Sequence, residues 1–287
     1  MKRFRVLIAV FILIVVTFMS CNNDETVLPE GKGRLNVLLT DSPFPVEMVG
    51  NAIVTIDRVE VRHRDDVNQG EDADSFIVIS EVEMEIDLLQ LTNGITEEIA
   101  SADLEAGYYD MIRLHVVDAT VILADGTEFD LKVPGGDTSG LKIKLEPAIY
   151  LDEGQTSDVL LDFDVSRSFV VRGNPMGVIN GFIFKPVVRG VYLGAAGRIE
   201  GTVTDTASVA IENALVRLYQ DENENGLDEQ DSVLVSSFSD VDGKYKLIGV
   251  PEGLYSILCE LDGYESDTIE NVTVTKGIST EVNILLE

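Results

Sequence analysis

The chain has 287 residues, with 51 Asp and Glu against 21 Lys and Arg, a formal net charge of −30. So large an acidic excess disfavours nucleic acid and anionic lipid headgroups as partners, because both repel it. Only two histidines occur, His63 and His115, and no H-E-x-x-H, G-x-S-x-G or P-loop pattern is present, so a His-based hydrolase or a nucleotide site has no support.

Lys2, Arg3 and Arg5 open the chain, Val6 to Met19 is a nearly unbroken apolar run of 14 residues, and Ser20-Cys21 closes it. This is the cationic, apolar and small-residue order of a secretory signal. The run is shorter than the roughly 20 residues that span a bilayer as a helix. A small residue directly before a cysteine resembles a lipoprotein processing site. The resemblance implies a signal peptide over residues 1–20, cleavage before Cys21, and a membrane anchor formed by lipid on that thiol. An uncleaved signal anchor and ordinary secretion are the alternatives. Asn22-Asn23-Asp24-Glu25 resembles the acidic export signals of bacterial surface lipoproteins, which implies the cell envelope and the outer membrane, its outer face included. Without Lys2, Arg3 and Arg5 the basic count falls to 21 − 3 = 18 against 51 acids, a formal charge of −33.

Residues 21–32 read as a polar tether containing Pro29. From there the pattern is that of strands. Gly33 to Thr40 (G-R-L-N-V-L-L-T) and Ala52 to Arg62 (A-I-V-T-I-D-R-V-E-V-R) place apolar residues at alternate positions. Met111 to Leu123, Gly140 to Leu145, Val159 to Phe163 and Val178 to Val188 are further runs rich in β-branched and aromatic residues, with turn signals at Asp125-Gly126 and Pro134-Gly135-Gly136. Such runs predict an all-β sandwich or barrel. Asn93 to Ser101 is the one stretch here that admits a short helix. Gly194-Ala195-Ala196-Gly197 interrupts the pattern and reads as a junction between a β-sandwich domain over 33–193 and a second over 198–287.

Seven candidate strands follow the junction: Arg198–Asp205, Ala214–Tyr219, Ser232–Ser239, Lys244–Ile248, Tyr255–Glu260, Thr268–Thr275 and Thr280–Leu286. Seven short strands in so short a segment predict a small β-sandwich. Asp242-Gly243 and Pro251-Glu252-Gly253 supply tight turns. Cys259 lies in the alternating run Tyr-Ser-Ile-Leu-Cys-Glu-Leu and reads as a small buried hydrophobe. With Cys21 acylated it has no intramolecular disulfide partner.

G-T-V-T-D (Gly201 to Asp205), N-A-L-V-R-L (Asn213 to Leu218), S-D-V-D-G-K-Y (Ser239 to Tyr245), G-V-P-E-G-L-Y (Gly249 to Tyr255) and Gly263-Tyr264 resemble the carboxypeptidase regulatory-like family. The resemblance implies a non-catalytic, transthyretin-like sandwich close in fold to adhesin B-repeats. Some of those relatives form a Lys–Asn isopeptide bond; the first strand here carries Arg198 and no lysine, so none is expected. The first domain resembles domain-of-unknown-function family 4382 through Gly33 to Pro43, Ile86 to Gly94, Ala106 to Leu114, Val133 to Lys142, Leu161 to Phe169 and Phe184 to Arg189. That family brings no established activity.

Asp221-Glu222-Asn223-Glu224-Asn225-Gly226-Leu227-Asp228-Glu229-Gln230-Asp231 is the leading candidate site. Ca²⁺ takes six to eight oxygens, and a D-x-N-x-N-G opening places side-chain oxygens at alternate positions around a glycine turn. Asp221, Asn223 and Asn225, the Leu227 carbonyl, and Asp228, Glu229 or Asp231 are the expected ligands. The resemblance is to calcium loops of adhesin B-repeats, although the closing acids arrive one residue early and Ser232 stands at the twelfth position. A solvated acidic loop is the alternative reading. In the first domain Asp162 and Asp164, with Ser166, Arg167 and Ser168, form the densest polar cluster. Two carboxylates at i and i+2 share a strand face and suit a cation or an acid/base pair. The preferred reading is structural: bonds to backbone amides at a strand end, or pairing with Arg167 or Arg189. Asp41-Ser42-Pro43 reads as a turn with a capping carboxylate.

No catalytic constellation emerges, so the sequence predicts a non-enzymatic, surface-displayed binding or adhesion protein with a glycan or protein ligand. The chain has no Trp, so sugar stacking would fall to Tyr108, Tyr109 and Tyr150. A structural or accessory subunit of an envelope assembly is the alternative.

Overall fold

The computed structural model describes residues 28–42, 49–64, 76–134, 139–174, 178–220 and 232–287. Cys21 and the candidate calcium loop 221–231 lie outside them. Among the described residues no helix is long and apolar enough to cross a membrane. The chain is all-β, as its periodicity predicts.

The first domain contains β1 (Lys32–Ser42), β2 (Val49–Arg64), β3 (Phe76–Ser80), β4 (Met84–Asp87), β5 (Glu97–Glu105), β6 (Gly107–Leu123), β7 (Glu128–Asp130), β8 (Leu141–Leu151), β9 (Thr156–Asp164), β10 (Phe169–Gly173), β11 (Ile179–Phe184) and β12 (Val188–Tyr192). One sheet runs β3-β2-β6-β8-β12-β9-β1-β5, with β4 on β2 and β7 on β6. Its two halves meet at a single parallel pairing, Gly190 opposite Leu145. A Cβ on Gly190 would lie 2.7 Å from Leu145 Cδ2 and 2.9 Å from Ile143 Cγ2, so glycine permits the close approach at this seam. The halves enclose a common core that includes Leu35, Leu39, Val54, Tyr109, Ile112 and Phe163.

Strand β1 alternates as its sequence predicts, with Leu35, Val37 and Leu39 wholly buried. Strand β9 does not alternate: Val159 through Phe163 is buried on both faces. One face looks into the first core and the other meets the second domain, which explains the uninterrupted apolar run Val-Leu-Leu.

The helix admitted for Asn93 to Ser101 does not form. Asn93 and Gly94 turn the chain with φ of 57° and 76°, and Glu97–Glu105 is the edge strand β5, antiparallel to β1. Its Glu and Ala residues favour helix, but pairing with β1 and burial of Ile99, Ala100 and Leu104 outweigh that preference. The run from Val178 to Val188 also divides, into β11 and β12, around Lys185-Pro186, since proline cannot donate to the ladder. Strands β10 and β11 form a separate two-stranded sheet.

The second domain comprises β13 (Ala196–Asp205), β14 (Leu215–Gln220), β15 (Val233–Phe238), β16 (Lys244–Pro251), β17 (Gly253–Glu260), β18 (Asp267–Val274), β19 (Ser279–Glu281) and β20 (Ile284–Leu286). The sheet β16-β13-β19, extended by β20 on β13, faces the sheet β15-β14-β17-β18. The expected last strand is broken at Val282-Asn283. There the Asn283 carboxamide oxygen accepts from the Thr202 amide and hydroxyl, both at 2.9 Å. Tyr245, Tyr255, Leu247, Ile257 and Cys259 are buried in this core. Burial pushes the Cys259 thiol up to about 12, so it stays protonated and inert at neutral pH.

Candidate functional site

The outer face of β9 carries the polar cluster singled out in the sequence, and the second domain packs against that face. Register sets Asp162 between Thr40 of β1 and Arg189 of β12. Arg189 Nη2 donates to Asp162 Oδ2 at 2.9 Å, and its Nη1 donates to the Gly249 carbonyl of β16 at 3.1 Å. One guanidinium therefore binds a buried carboxylate of the first domain and the backbone of the second. Asp164 serves a different structure. Its Oδ1 accepts from the Arg167 amide at 2.9 Å and from Ser166 Oγ at 2.7 Å, capping the helical turn Val165–Ser168. Arg167 Nε closes the cap at 2.5 Å from Oδ2. The preferred structural reading of both aspartates is what the geometry displays.

Asp41 is more than a local turn residue. Its Oδ1 accepts from the Val165 amide, 124 positions along the chain, at 3.2 Å. Its Oδ2 has no hydrogen-bond partner among the described residues. Burial pushes its carboxyl well above the usual range, and the negative charge of Asp162 adds to the shift against the opposing effect of the Val165 amide. A raised carboxyl beside a second acid resembles an acid/base pair, but both residues are at most 5% exposed and no substrate reaches them.

The shift has a measurable consequence. A carboxyl that holds its proton more tightly when folded contributes stability fully present below its unfolded pKa of about 4, lost as pH rises through the folded value. Asp41→Asn keeps the oxygen that accepts from Val165 and cannot ionise. Urea unfolding from about pH 4 to about pH 8 is therefore expected to move progressively in favour of the variant over the parent; parallel curves would contradict the assignment.

Around the Arg189 bridge the junction is packed. Leu160, Val191 and Ala196 form a small core joined by Leu38, Leu193 and Ile248. Residues 193–195 make one 3-10 turn, so the Gly-Ala-Ala-Gly junction passes directly into β13. Gly249 has φ of +65°, and a Cβ there would sit 2.9 Å from Leu160 Cδ2 of the other domain. On the far side, Asn93 Nδ2 donates to the Lys244 carbonyl at 3.3 Å and Asn93 Oδ1 accepts from Ser237 Oγ at 3.4 Å.

Beside Asn93 opens a cleft of about 400 Å³, lined by Glu200, Thr202, Asp240, Lys246 and Glu281 among others. The neighbouring Ser279 side chain is the main cause of the lowered Glu200 carboxyl, and Lys246 Nζ lies 3.8 Å from Glu200. This rim offers exposed hydrogen-bonding groups alongside apolar surface.

Elsewhere, His115 is buried beside Glu60, 3.2 Å from Nε2 to Oε2, and Glu60 also pairs with Arg113 at 3.0 Å. His63 packs edge-on against Tyr109. Tyr109, one of the three tyrosines to which sugar stacking would fall, is instead a core residue, fully buried, and its hydroxyl donates to the Glu105 carbonyl. Its place on the inner face of β6 removes it from any ligand surface. Tyr150 is exposed and meets Tyr108 edge to face. For the calcium candidate, β14 and β15 on either side pair with Tyr219 opposite Val233. Among the described residues no group of three or more His, Cys, Asp or Glu is placed to hold a metal ion.

Sequence reasoning missed Asn93 and the contact of Arg189 with Gly249. The apolar continuity of β9 was the signal for a second partner on its outer face.

The sequence model of a domain of unknown function, DUF4382, matches residues 32–186, and that of the carboxypeptidase regulatory-like domain matches residues 198–287. No curated protein matches the chain. Among solved structures, the TIE protein of Bacillus anthracis is similar at 16% identity and a TM-score of 0.24, over 90% of this chain and 34% of that one. The chain thus spans about a third of that protein. The major pilin subunit of Bacillus cereus is similar at 12% identity and a TM-score of 0.26, over 89% and 70% of the two chains. The minor pilin of Streptococcus agalactiae is similar at 9% identity and a TM-score of 0.25, over 88% and 94%. Such scores are too low to equate the folds.

Proposed function

The chain belongs to the DUF4382 family, and from that premise we propose that it is a non-catalytic lipoprotein of the bacterial cell envelope. In this reading lipid on Cys21 tethers it to the outer membrane, and its two β-domains are displayed as binding or adhesion modules. The observation that carries the non-catalytic part is the state of the polar groups in the first domain. Asp162 is held by Arg189, Asp41 by Val165, Asp164 by a helical turn and His115 by Glu60. Of these, Asp41, Asp162 and His115 are buried and Asp164 is engaged as a cap, so none is offered to a substrate.

The anchor is supported by the order of charge, apolar run and Ser20-Cys21. Mass spectrometry of the N-terminal peptide is expected to find acylated Cys21, and Cys21→Ser is expected to move the protein out of the membrane fraction. A membrane-bound Cys21→Ser variant with its signal intact would mean a signal anchor instead.

Calcium at Asp221, Asn223, Asn225, Leu227 and the closing acids Asp228, Glu229 and Asp231 belongs to the same proposal, supported by the ligand spacing. Titration is expected to show binding in the range of about 0.1–1 mM usual for extracellular modules, lost in Asp221→Ala/Asn225→Ala. Absence of heat at millimolar Ca²⁺ would remove the metal from the proposal. A glycan or protein is the ligand class, and a glycan array separates the two. The second reading, a structural subunit of an envelope assembly, is favoured by the packed junction of Leu160, Val191, Ala196 and Ile248, which suits a stiff spacer. Recovery of a stoichiometric partner from solubilised membranes tests it.

A further inference from the structure

Asp164 and Glu200 are consecutive acids, and the 35 residues between them form the longest acid-free stretch of the chain. Five cations fall within it, Arg167, Arg172, Lys185, Arg189 and Arg198, in a protein with 51 acids. Two have the structural partners described above: Arg167 binds Asp164 and Arg189 binds Asp162. The β10–β11 hairpin lies inside this stretch. Phe169 and Phe184 point into the core, while their neighbours Val170 and Ile183, paired across the hairpin, are 44% and 53% exposed. Val178 is 72% exposed. Arg172 and Lys185 are exposed beside them and form no ion pair with any described residue. Among the described residues neither β10 nor β11 joins another sheet, so both outer edges carry backbone groups without a strand partner there.

An apolar, cationic hairpin with open edges calls for an acidic strand. The chain itself has one. Strand β18 is an edge of its sheet, and Asp262, Glu265, Asp267 and Glu270 lie in or just before it, with no Lys or Arg until Lys276. A lipid surface fits less well, for two reasons. Open strand edges in an apolar layer leave backbone groups unsatisfied at a cost of several kcal/mol each. The hairpin also springs from the Asp164 end of β9, beside Ser42 of β1, whereas the tether enters at Lys32, the other end of that strand, roughly 35 Å away.

We infer that the β10–β11 hairpin docks on the β18 edge of a second copy of this chain, Arg172 and Lys185 facing Asp267 and Glu270 around the Val170–Ile183 pair. The contact is heterologous, so a pair leaves the hairpin of one copy and the β18 edge of the other free and the assembly grows head to tail. Charge on the remote surfaces of a −33 chain is screened beyond about 8 Å at physiological salt, so the local complementarity decides.

Sedimentation of the chain from Asn22 onward tests this, with thermal melts to verify that each variant folds. The parent is expected to associate with rising concentration. Arg172→Glu/Lys185→Glu and Asp267→Lys/Glu270→Lys are each expected to weaken association at least about tenfold, the loss of one or two interfacial charge pairs. Mixing the two variants is expected to restore association, because the reversed charges then match across one interface. A parent that stays monomeric, or a mixture no stronger than either variant alone, would overturn the inference. So would a monomeric parent that co-sediments with phosphatidylglycerol vesicles through Arg172 and Lys185, which would make the hairpin a lipid contact.

Discussion

Arg189→Ala is expected to destabilise the protein by about 2–3 kcal/mol and to loosen one domain from the other. Removing one member of a buried ion pair costs about 3–5 kcal/mol, because the remaining charge is left without compensation. Asp162 is buried at 5% side-chain exposure, while Arg189 retains 26%, so water softens the loss and the lower figure applies. The second effect is mechanical. Without Nη1 the Gly249 carbonyl loses its donor across the junction, and Leu160, Val191, Ala196 and Ile248 are left to hold the domains together. Calorimetry is expected to resolve two transitions in the variant where the parent gives closely coupled ones. Arg189→Lys is expected to recover only part of the effect, since one ammonium cannot reproduce the fork that reaches both oxygens. Unchanged stability in Arg189→Ala would mean that the apolar contacts alone fix the junction.

Gly201→Ala is expected to cost about 3 kcal/mol or more, confined to the second domain. The new methyl would sit 1.7 Å from the Val282 carbonyl oxygen and 3.1 Å from Tyr245 Cε1. Backbone must move, since neither contact is the end of a flexible side chain, and overpacking of this kind lies at the severe end of its range. The movement would disturb the Val282-Asn283 break, where Val282 donates to the Glu200 carbonyl at 2.9 Å and Asn283 accepts from Thr202. Tyr245 would lose its acceptor as well, because its hydroxyl donates to the same Val282 oxygen at 2.8 Å. Denaturation followed by near-ultraviolet circular dichroism should show the Tyr245 and Tyr255 environment lost early while the first domain persists. Equal loss in both domains would show that the junction couples them more strongly than this geometry implies.

Much of the fold is legible along the chain. The alternation of β1 and the turn at Asp242-Gly243 follow from side-chain period and from residues suited to the turn, both local properties. Cys259 reads correctly for the same reason: an apolar neighbour on each alternate position marks the inner face. Asn93 to Ser101 misleads because its residues prefer helix in isolation while β1 offers a free edge. The strands β3, β4, β7 and β10 are short, and their pairing partners rather than their composition define them. At the polar sites the sequence separates Asp162 and Asp164 from the rest of the acids, but cannot divide their roles. That division depends on β12 bringing Arg189 alongside β9 and on the chain turning at Val165.

What the sequence determined by itself is the β class, the two successive family segments and the acidic excess. Each depends on neighbours a few residues apart. What only the tertiary structure decided is the buried Asp41, the inward turn of Tyr109, the Arg189 bridge to Gly249 and the unpaired edges of the β10–β11 hairpin. These depend on segments tens to more than a hundred residues apart, brought together because burying apolar faces outweighs local preference.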